Sequence, residues 1–498
     1  MNVNPITRLD YPDPDVIRVE DTYYMVSTTM HFMPGCEILQ SFDLVHWEHV
    51  TYVYETLDHT DAQQLKSGQN IYGQGMWAAS LRYHEGRFYI CFVANDTRKT
   101  YLYTSEKIDG PWKKQLIEGF YHDGSLLFDE DGRNYIVYGN DEIWITELNE
   151  DLTAPKKDGL HRLLVSDHKN PELGYEGSHI QKINGYYYIF LVHSLRDRWM
   201  RTEACFYSDS LEGEFTGGDV LCDDRGYCGQ GVAQGGIVDT PDGKWYAMLF
   251  QDSGAVGRIP ILLPVTWKDH FPFFGQNGHV PEEIEVHSTR PGYIYQPLVG
   301  SDDFCNGLLP RWQFNHDPDP RYYHLDALQG TYTITTREVC TELTQAVNTL
   351  TQRMSYPSCA AEVTVDASAL KEGDVAGLCA FQSCYAAVGI TKHHGKYEVL
   401  MLDKKEDGIL DMTEGTVVES HQMDFRLEAD FCNMKDEARC YYRVNKGDWL
   451  PIGTVHKLYF KLDHFTGCRF GLFCYAAEET GGSACFRDFK YYDVDEIS

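Results

Sequence analysis

The sequence predicts an all-β protein: a five-bladed β-propeller over residues 1–300, followed by a β-sandwich over residues 301–498. Three observations predict it. A hairpin motif recurs five times. A second motif follows three of those hairpins at a similar distance. Both stop near residue 300, where a different strand pattern begins.

The hairpin motif is an acidic or amide residue, a tight turn and an aromatic strand. It reads EDTYYM at Glu20–Met25, EGRFYI at Glu85–Ile90, DGRNYI at Asp131–Ile136, NGYYYI at Asn184–Ile189 and DGKWYA at Asp242–Ala247. Its spacing, roughly 46 to 65 residues, suits one four-stranded propeller blade. The second motif is a serine, an apolar residue and a distal aromatic: SFDLVHW at Ser41–Trp47, SEKIDGPW at Ser105–Trp112 and SDSLEGEF at Ser208–Phe215. Helix signals are scarce, the best being a short stretch at Asp61–Lys66.

Each hairpin joins two strands, and the earlier one should lie closer to the propeller axis. Counting back nine residues from the second position of the last four motifs reaches Trp77, Asp123, Glu176 and Gln234. Counting back eight from Asp21 reaches Asp13. Equivalent blade positions face the same mouth of the central channel. Three carboxylates, a tryptophan and a glutamine are therefore expected in one pocket.

From Ser301 the alternating runs YTITT, AAEVTVD, YEVLMLD and KLYFKLD suit the strands of a sandwich. The connection from Pro291 to Ser301 is short and not of low complexity, so the two domains are expected to be docked.

Composition removes several functional classes. A formal net charge of -32 repels nucleic acid but not a neutral oligosaccharide. The 34 Tyr and 9 Trp suit β-structure and sugar stacking equally. Fifteen Cys with no CxxC spacing read as reduced thiols. The segment MNVNPITRLDYPDPD lacks a basic and then apolar leader, and no apolar run of ~20 residues follows. A cytoplasmic protein with no membrane partner is expected, acting on a substrate small enough to be imported. The assembly state is open, a homo-oligomer included.

Acetal cleavage needs a proton for the leaving oxygen and a nucleophile on the opposite face. Two carboxyl groups supply both when their environments separate their pKa values. Read alone, Asp13 in YPDPD, Asp123 in YHDGS and Glu176 in GYEGSH are turn residues capping backbone N–H groups. Three of them at matched repeat positions point instead to a catalytic set. Trp77, in GMWAAS, reads either as filler between blades or as a wall facing the sugar. His31, His122 and His179 lie near the expected pocket, and no HExxH or clustered spacing argues for zinc.

At these residues the sequence resembles glycoside hydrolase family 43, the β-xylosidases and α-L-arabinofuranosidases, over essentially its whole length. The resemblance implies Asp13, in NPITRLDYPDPDVIRVEDTYYMVST, as general base. It implies Asp123, in HDGSLLFDEDGRNYIVYG, as the group that orients the acid and tunes its pKa. Glu176, in YEGSHIQKINGYYYIF, becomes the general acid, and Arg258, in GRIPILLPVTWKD, a sugar contact. Met30 and Phe32, which flank His31, complete the expected substrate-binding set with Trp77, Arg258 and Gln234. The C-terminal region resembles the concanavalin-like, jelly-roll sandwich of the xylosidase branch, whose loop helps close the pocket. The implied chemistry is inversion, with Asp13 activating water and Glu176 protonating the leaving oxygen; burial and the charge of Asp123 are expected to raise the Glu176 pKa. The substrate implied is a xylo- or arabinoxylo-oligosaccharide. Some members hold a channel calcium near a fifth-blade histidine, whereas AQGG here offers Ala233 and Gln234. No metal is therefore expected to be required, with a structural calcium held by water and carbonyls as the alternative.

Two rivals remain. Invertase-like retaining hydrolases share the propeller but open on an NDPNG-like motif, and no clear RDP or ECP motif follows here. A carbohydrate-binding propeller without catalysis is the other. Turnover of an aryl glycoside separates it from an enzyme.

Overall fold

The computed structural model describes residues 2–493, so the last five residues assigned to the sandwich lie outside the described residues. All five expected hairpins form, each joining the first and second strands of a four-stranded antiparallel blade. The first strands are Asp15–Val19, Met76–His84, Ser125–Phe128, Glu176–Ile183 and Val232–Asp239, and they neighbour one another around the axis. Blades bury both faces against their neighbours, which explains strands that are aromatic and β-branched almost throughout. Tyr23, Met25 and Leu39 of the first blade, for instance, pack on Tyr246, Met248 and Leu262 of the fifth. Each such side chain contributes about 1.5–3 kcal/mol when fully buried.

The second motif is the bend between the third and fourth strands of blades one, two and four. In the first, Ser41 Oγ accepts the Leu44 N–H at 2.8 Å and Trp47 Nε1 donates to Leu44 O at 3.0 Å. The ring closes outside the blades. Asn2–Val3 pairs with Glu283–Ile284, and the Asn4 amide donates to Leu262 O and Pro281 O while accepting the Leu262 N–H.

Among the described residues there is no α-helix, and none long and apolar enough to cross a membrane. The expected helix at Asp61–Lys66 is a run of turns leading into a 3₁₀ turn at Lys66–Gly68. Leu65 (φ 52°) and Ser67 (φ 54°) adopt left-handed backbone, which ends any right-handed helix.

The C-terminal half is two facing sheets, one of nine strands and one of seven. Leu378, Val388 and Met401 from the first pack on Val363, Phe425 and Phe486 from the second. Three of the four quoted runs are strands, Thr331–Thr335, Ser358–Asp366 and Lys396–Lys404. KLYFKLD is not. The strand Leu450–Lys457 ends as that run begins, and residues 458–463 form a loop. Its alternating pattern has another cause: Leu458 enters the sandwich core, while Tyr459 and Phe460 line a cleft against the propeller.

The propeller lends the nine-stranded sheet its last strand, Phe32–Met33, which pairs with Gln313–Asn315. This corrects the expectation for Phe32. Its pairing with Asn315 turns the ring into the sandwich, where it lies 3.5 Å from the Arg469 guanidinium and packs near Phe381. A buried ion pair also crosses the junction, Arg353 Nη1 to Glu37 Oε2 at 2.8 Å. Burial alone would raise the Glu37 carboxyl, but Arg353 and His49 hold it down at about 2.

Candidate active site

Asp13 and Asp123 each stand two residues before the first strand of their blade, on left-handed backbone (φ 52° and 48°). Gln234 (φ 67°) and Gly177 (φ 64°) share that conformation in blades five and four. It is uncommon outside glycine and clusters at functional sites. Blades three and five have longer turns, residues 129–133 and 240–244, whereas blades two and four have two-residue turns. Trp77, Glu176 and Gln234 stand at bulges of their inner strands, Met76/Ala79, Glu176/His179 and Ala233/Gly236.

The structure gathers Asp13, Met30, Trp77, Asp123, Glu176, Gln234 and Arg258 around one pocket. Asp13 is buried; Oδ1 accepts from Arg258 Nη1 at 3.0 Å and Oδ2 from Thr28 Oγ1 at 2.6 Å. Glu176 Oε2 accepts from Asn140 Nδ2 at 2.7 Å and lies 3.5 Å from His122 Nε2. Asp123 Oδ2 accepts the Gly177 N–H at 3.0 Å, so it grips the backbone next to Glu176. A side chain on Gly177 would stand 2.7 Å from the Gln234 side chain, and its left-handed φ adds to the need for glycine. The Trp77 indole N–H is buried without a partner, leaving a donor for a hydroxyl.

Charges at the site are coupled. Asp123 raises the His122 imidazole to about 9 against the opposing effect of burial, and Glu176 adds to the rise. His122 is therefore cationic near neutral pH. Burial pushes the Asp123 carboxyl up, Glu176 and Asp13 add to this, and His122 and the Gly177 N–H oppose it. Gln234 acts through its backbone too, donating its N–H to Glu203 Oε2 at 2.7 Å. Burial raises the Glu203 carboxyl well above its ordinary range.

Four residues escaped the sequence reading as site residues: His122, Asn140, Arg201 and Phe465. A forward count along the second strand of each hairpin would have reached Asn140. Arg201 faces the pocket paired with Asp252, and burial together with Arg258 lowers its guanidinium to about 10. Phe465 comes from the sandwich, just beyond the misread KLYFKLD run, and its ring lies 4.3 Å from the Arg258 guanidinium. No signal near the propeller motifs could have revealed it. Beyond it the pocket opens into a cleft of about 820 Å³ between the two domains. His31 is not at the site; it is buried at the domain junction beside Tyr72, His316 and His464.

Among the described residues, the only group of three or more His, Cys, Asp or Glu with metal-ligand spacing is His122, Asp123 and Glu176. Their ligand atoms all lie within 4.8 Å of one another.

Carboxylates gathered in this way at a propeller mouth do the chemistry of glycosidases. The chain belongs to glycosyl hydrolases family 43, a family of inverting glycosidases: that family's profile matches residues 3–272. The profile of the beta-xylosidase C-terminal concanavalin A-like domain matches residues 301–492. A beta-xylosidase of Formosa agariphila is 26% identical over 99% of this chain and 89% of its own length. A structure described as a bifunctional GH43-CE protein of Bacteroides eggerthii is 42% identical with a TM-score of 0.92, covering 99% of this chain; this chain spans 63% of that longer protein. An engineered GH43 glycoside hydrolase with both endo-xylanase and exo-arabinofuranosidase activity is 27% identical with a TM-score of 0.88, covering 99% of each chain.

Proposed function

We propose that this glycosidase releases a terminal pentose, β-D-xylose or α-L-arabinofuranose, from xylo- or arabinoxylo-oligosaccharides, with Asp13 as general base and Glu176 as general acid. One observation carries the assignment. Asp13 is the buried carboxylate held by a guanidinium and a hydroxyl, while Glu176, held by the Asn140 amide and 3.5 Å from His122, stands at the open cleft where a leaving group would exit. In a single displacement, Asp13 takes a proton from water as the water oxygen bonds to the anomeric carbon. The glycosidic C–O bond breaks as Glu176 gives its proton to the leaving oxygen. Asp123 holds Glu176 in place through the Gly177 N–H. Arg258 and Trp77 have unpartnered buried N–H groups for sugar hydroxyls, and Met30 and Gln234 complete the wall.

The relatives' names support both pentoses. No metal is required in this scheme, since each proton has a carboxyl partner. Fifteen free thiols, most of them buried, support a reducing compartment such as the cytoplasm. The deciding experiment assays purified protein on aryl β-D-xyloside and aryl α-L-arabinofuranoside and follows the first-formed anomer by NMR. Turnover of either with an inverted anomer is expected. No turnover of any pentoside would favour the binding-propeller alternative.

A further inference from the structure

One layer below the carboxylates, the same inner strands present Asp15, Ser125 and His179, two or three residues after Asp13, Asp123 and Glu176. Arg82, on the inner strand of blade two, reaches into this layer, and its guanidinium is saturated. Nε donates to Leu126 O at 2.9 Å. Nη1 donates to Asp15 Oδ2 at 2.7 Å and Leu81 O at 2.6 Å. Nη2 donates to Ser125 Oγ at 2.7 Å and Ile180 O at 3.2 Å. A guanidinium has five N–H donors, and all five are used, on oxygens from blades one to four. Asp15 also accepts the Leu81 N–H at 2.7 Å and faces His179 Nδ1 at 3.1 Å. Burial would raise the Asp15 carboxyl, but Arg82 and His179 outweigh it and hold it below its ordinary range. Blade five closes the ring with Gly236, where a Cβ would stand 3.2 Å from His179 Nδ1.

A channel calcium would need six to eight oxygen ligands. Five oxygens of this layer already accept from Arg82, and a divalent ion beside a guanidinium would be repelled. Ala233 and Gln234 provide no imidazole at the fifth blade. The residues of this layer do not fit a metal.

We infer that Arg82 is the resident cation of the channel, a positioning residue that ties together the strands carrying Asp13, Asp123 and Glu176 in place of a metal. The inference rests on the proposed roles of those carboxylates, and its tests are chosen to survive their failure. Wild-type protein is expected to hold no stoichiometric divalent ion and to keep its melting temperature and turnover after dialysis against a chelator. A tightly bound calcium whose removal lowers the melting temperature would overturn the inference. Arg82→Met is expected to lose kcat on the order of 10²-fold, as misplacement of catalytic groups by about 1 Å does, with KM changing far less. Its base limb should move to higher pH. The charged groups facing Asp15 are Arg82 and His179, so without Arg82 its negative charge stands less compensated beneath Asp13, which itself faces Arg258, Thr28, Asp123, His122 and Arg201. Arg82→Lys keeps the charge but not the fork, and should lose kcat while holding the wild-type base limb. Should Arg82→Met fail to fold, the lysine variant carries the test. Wild-type kcat and pH profile in either folded variant would refute the positioning role. If the wild type turns over no pentoside, the functional reading fails, while metal content and melting temperatures still decide the place of Arg82.

Discussion

Asp13 and Glu176 are both carboxyl groups, and their surroundings divide the work between them. Asp13 is buried against Arg258 and Thr28 inside the pocket, whereas Glu176 is held by Asn140, with His122 3.5 Å away, at the edge of the open cleft. Asp13→Asn and Glu176→Gln keep the shape and remove the proton chemistry. Each should lower kcat by about 10²–10⁴-fold, the usual contribution of general acid or base catalysis. Thermal melting should change little, because asparagine can still accept from Arg258 and glutamine can still accept from Asn140. Near-normal kinetics in either purified variant would remove that residue from the mechanism. Both residues were legible in the sequence because they stand at repeat positions. His122 was visible there only as a lone histidine, since its charge comes from Asp123 and Glu176 closing around it.

At the scale of elements, the loop after Leu450–Lys457 decides how the pocket is covered. Phe465 lies over the Arg258 guanidinium, and Phe460 stands farther off at 5.9 Å. The loop is anchored beside them: Asp10 accepts the Arg258 N–H and the Gly467 N–H, each at 2.8 Å, so one carboxylate joins blade five to the sandwich. A Cβ on Gly467 would meet Val256 O at 2.1 Å, which explains the glycine. Phe465→Ala should uncover Arg258 and raise KM about tenfold, equivalent to about 1.4 kcal/mol of lost contact, with a smaller change in kcat. Steady-state kinetics on an aryl pentoside tests this; an unchanged KM would mean the loop does not touch bound sugar. KLYFKLD mimics a strand because apolar and aromatic side chains are needed there whether a segment pairs with a neighbour or, as here, sends Leu458 into one core and Tyr459 and Phe460 to a cleft.

On the scale of the whole molecule, the junction between propeller and sandwich buries His31, His316 and His464 together. Burial lowers all three below the ordinary histidine range; repulsion from His464 adds to it at His31 and His316, and Lys404 adds to it at His464, which falls to about 3 against the opposing effect of Asp463. The unfolded chain protonates these groups near pH 6.5 and the folded chain resists, so their contribution is intact above about 6.5 and is lost as pH falls below it. His122 has the opposite sign: raised to about 9, it adds stability at low pH that is lost as pH rises through that value. The melting temperature is therefore expected to fall between pH 7 and roughly pH 5, with His31→Phe flattening that slope. Both His31 ring nitrogens lack partners, so phenylalanine breaks no hydrogen bond there. A slope identical to wild type in His31→Phe would locate the acid sensitivity elsewhere.

The sequence by itself determined the blades and the carboxylates, because hairpin turns and strand alternation are written in neighbouring residues and repeat with each blade. Asp13, Asp123 and Glu176 inherit their convergence from that repetition. Only the tertiary structure decided that Phe32 leaves the pocket for a sandwich sheet, that Phe465 enters it, and that Arg82 fills the channel. Each of these depends on contacts between segments far apart in the chain. Such contacts obey packing and hydrogen-bond satisfaction across domains and leave no period in the sequence.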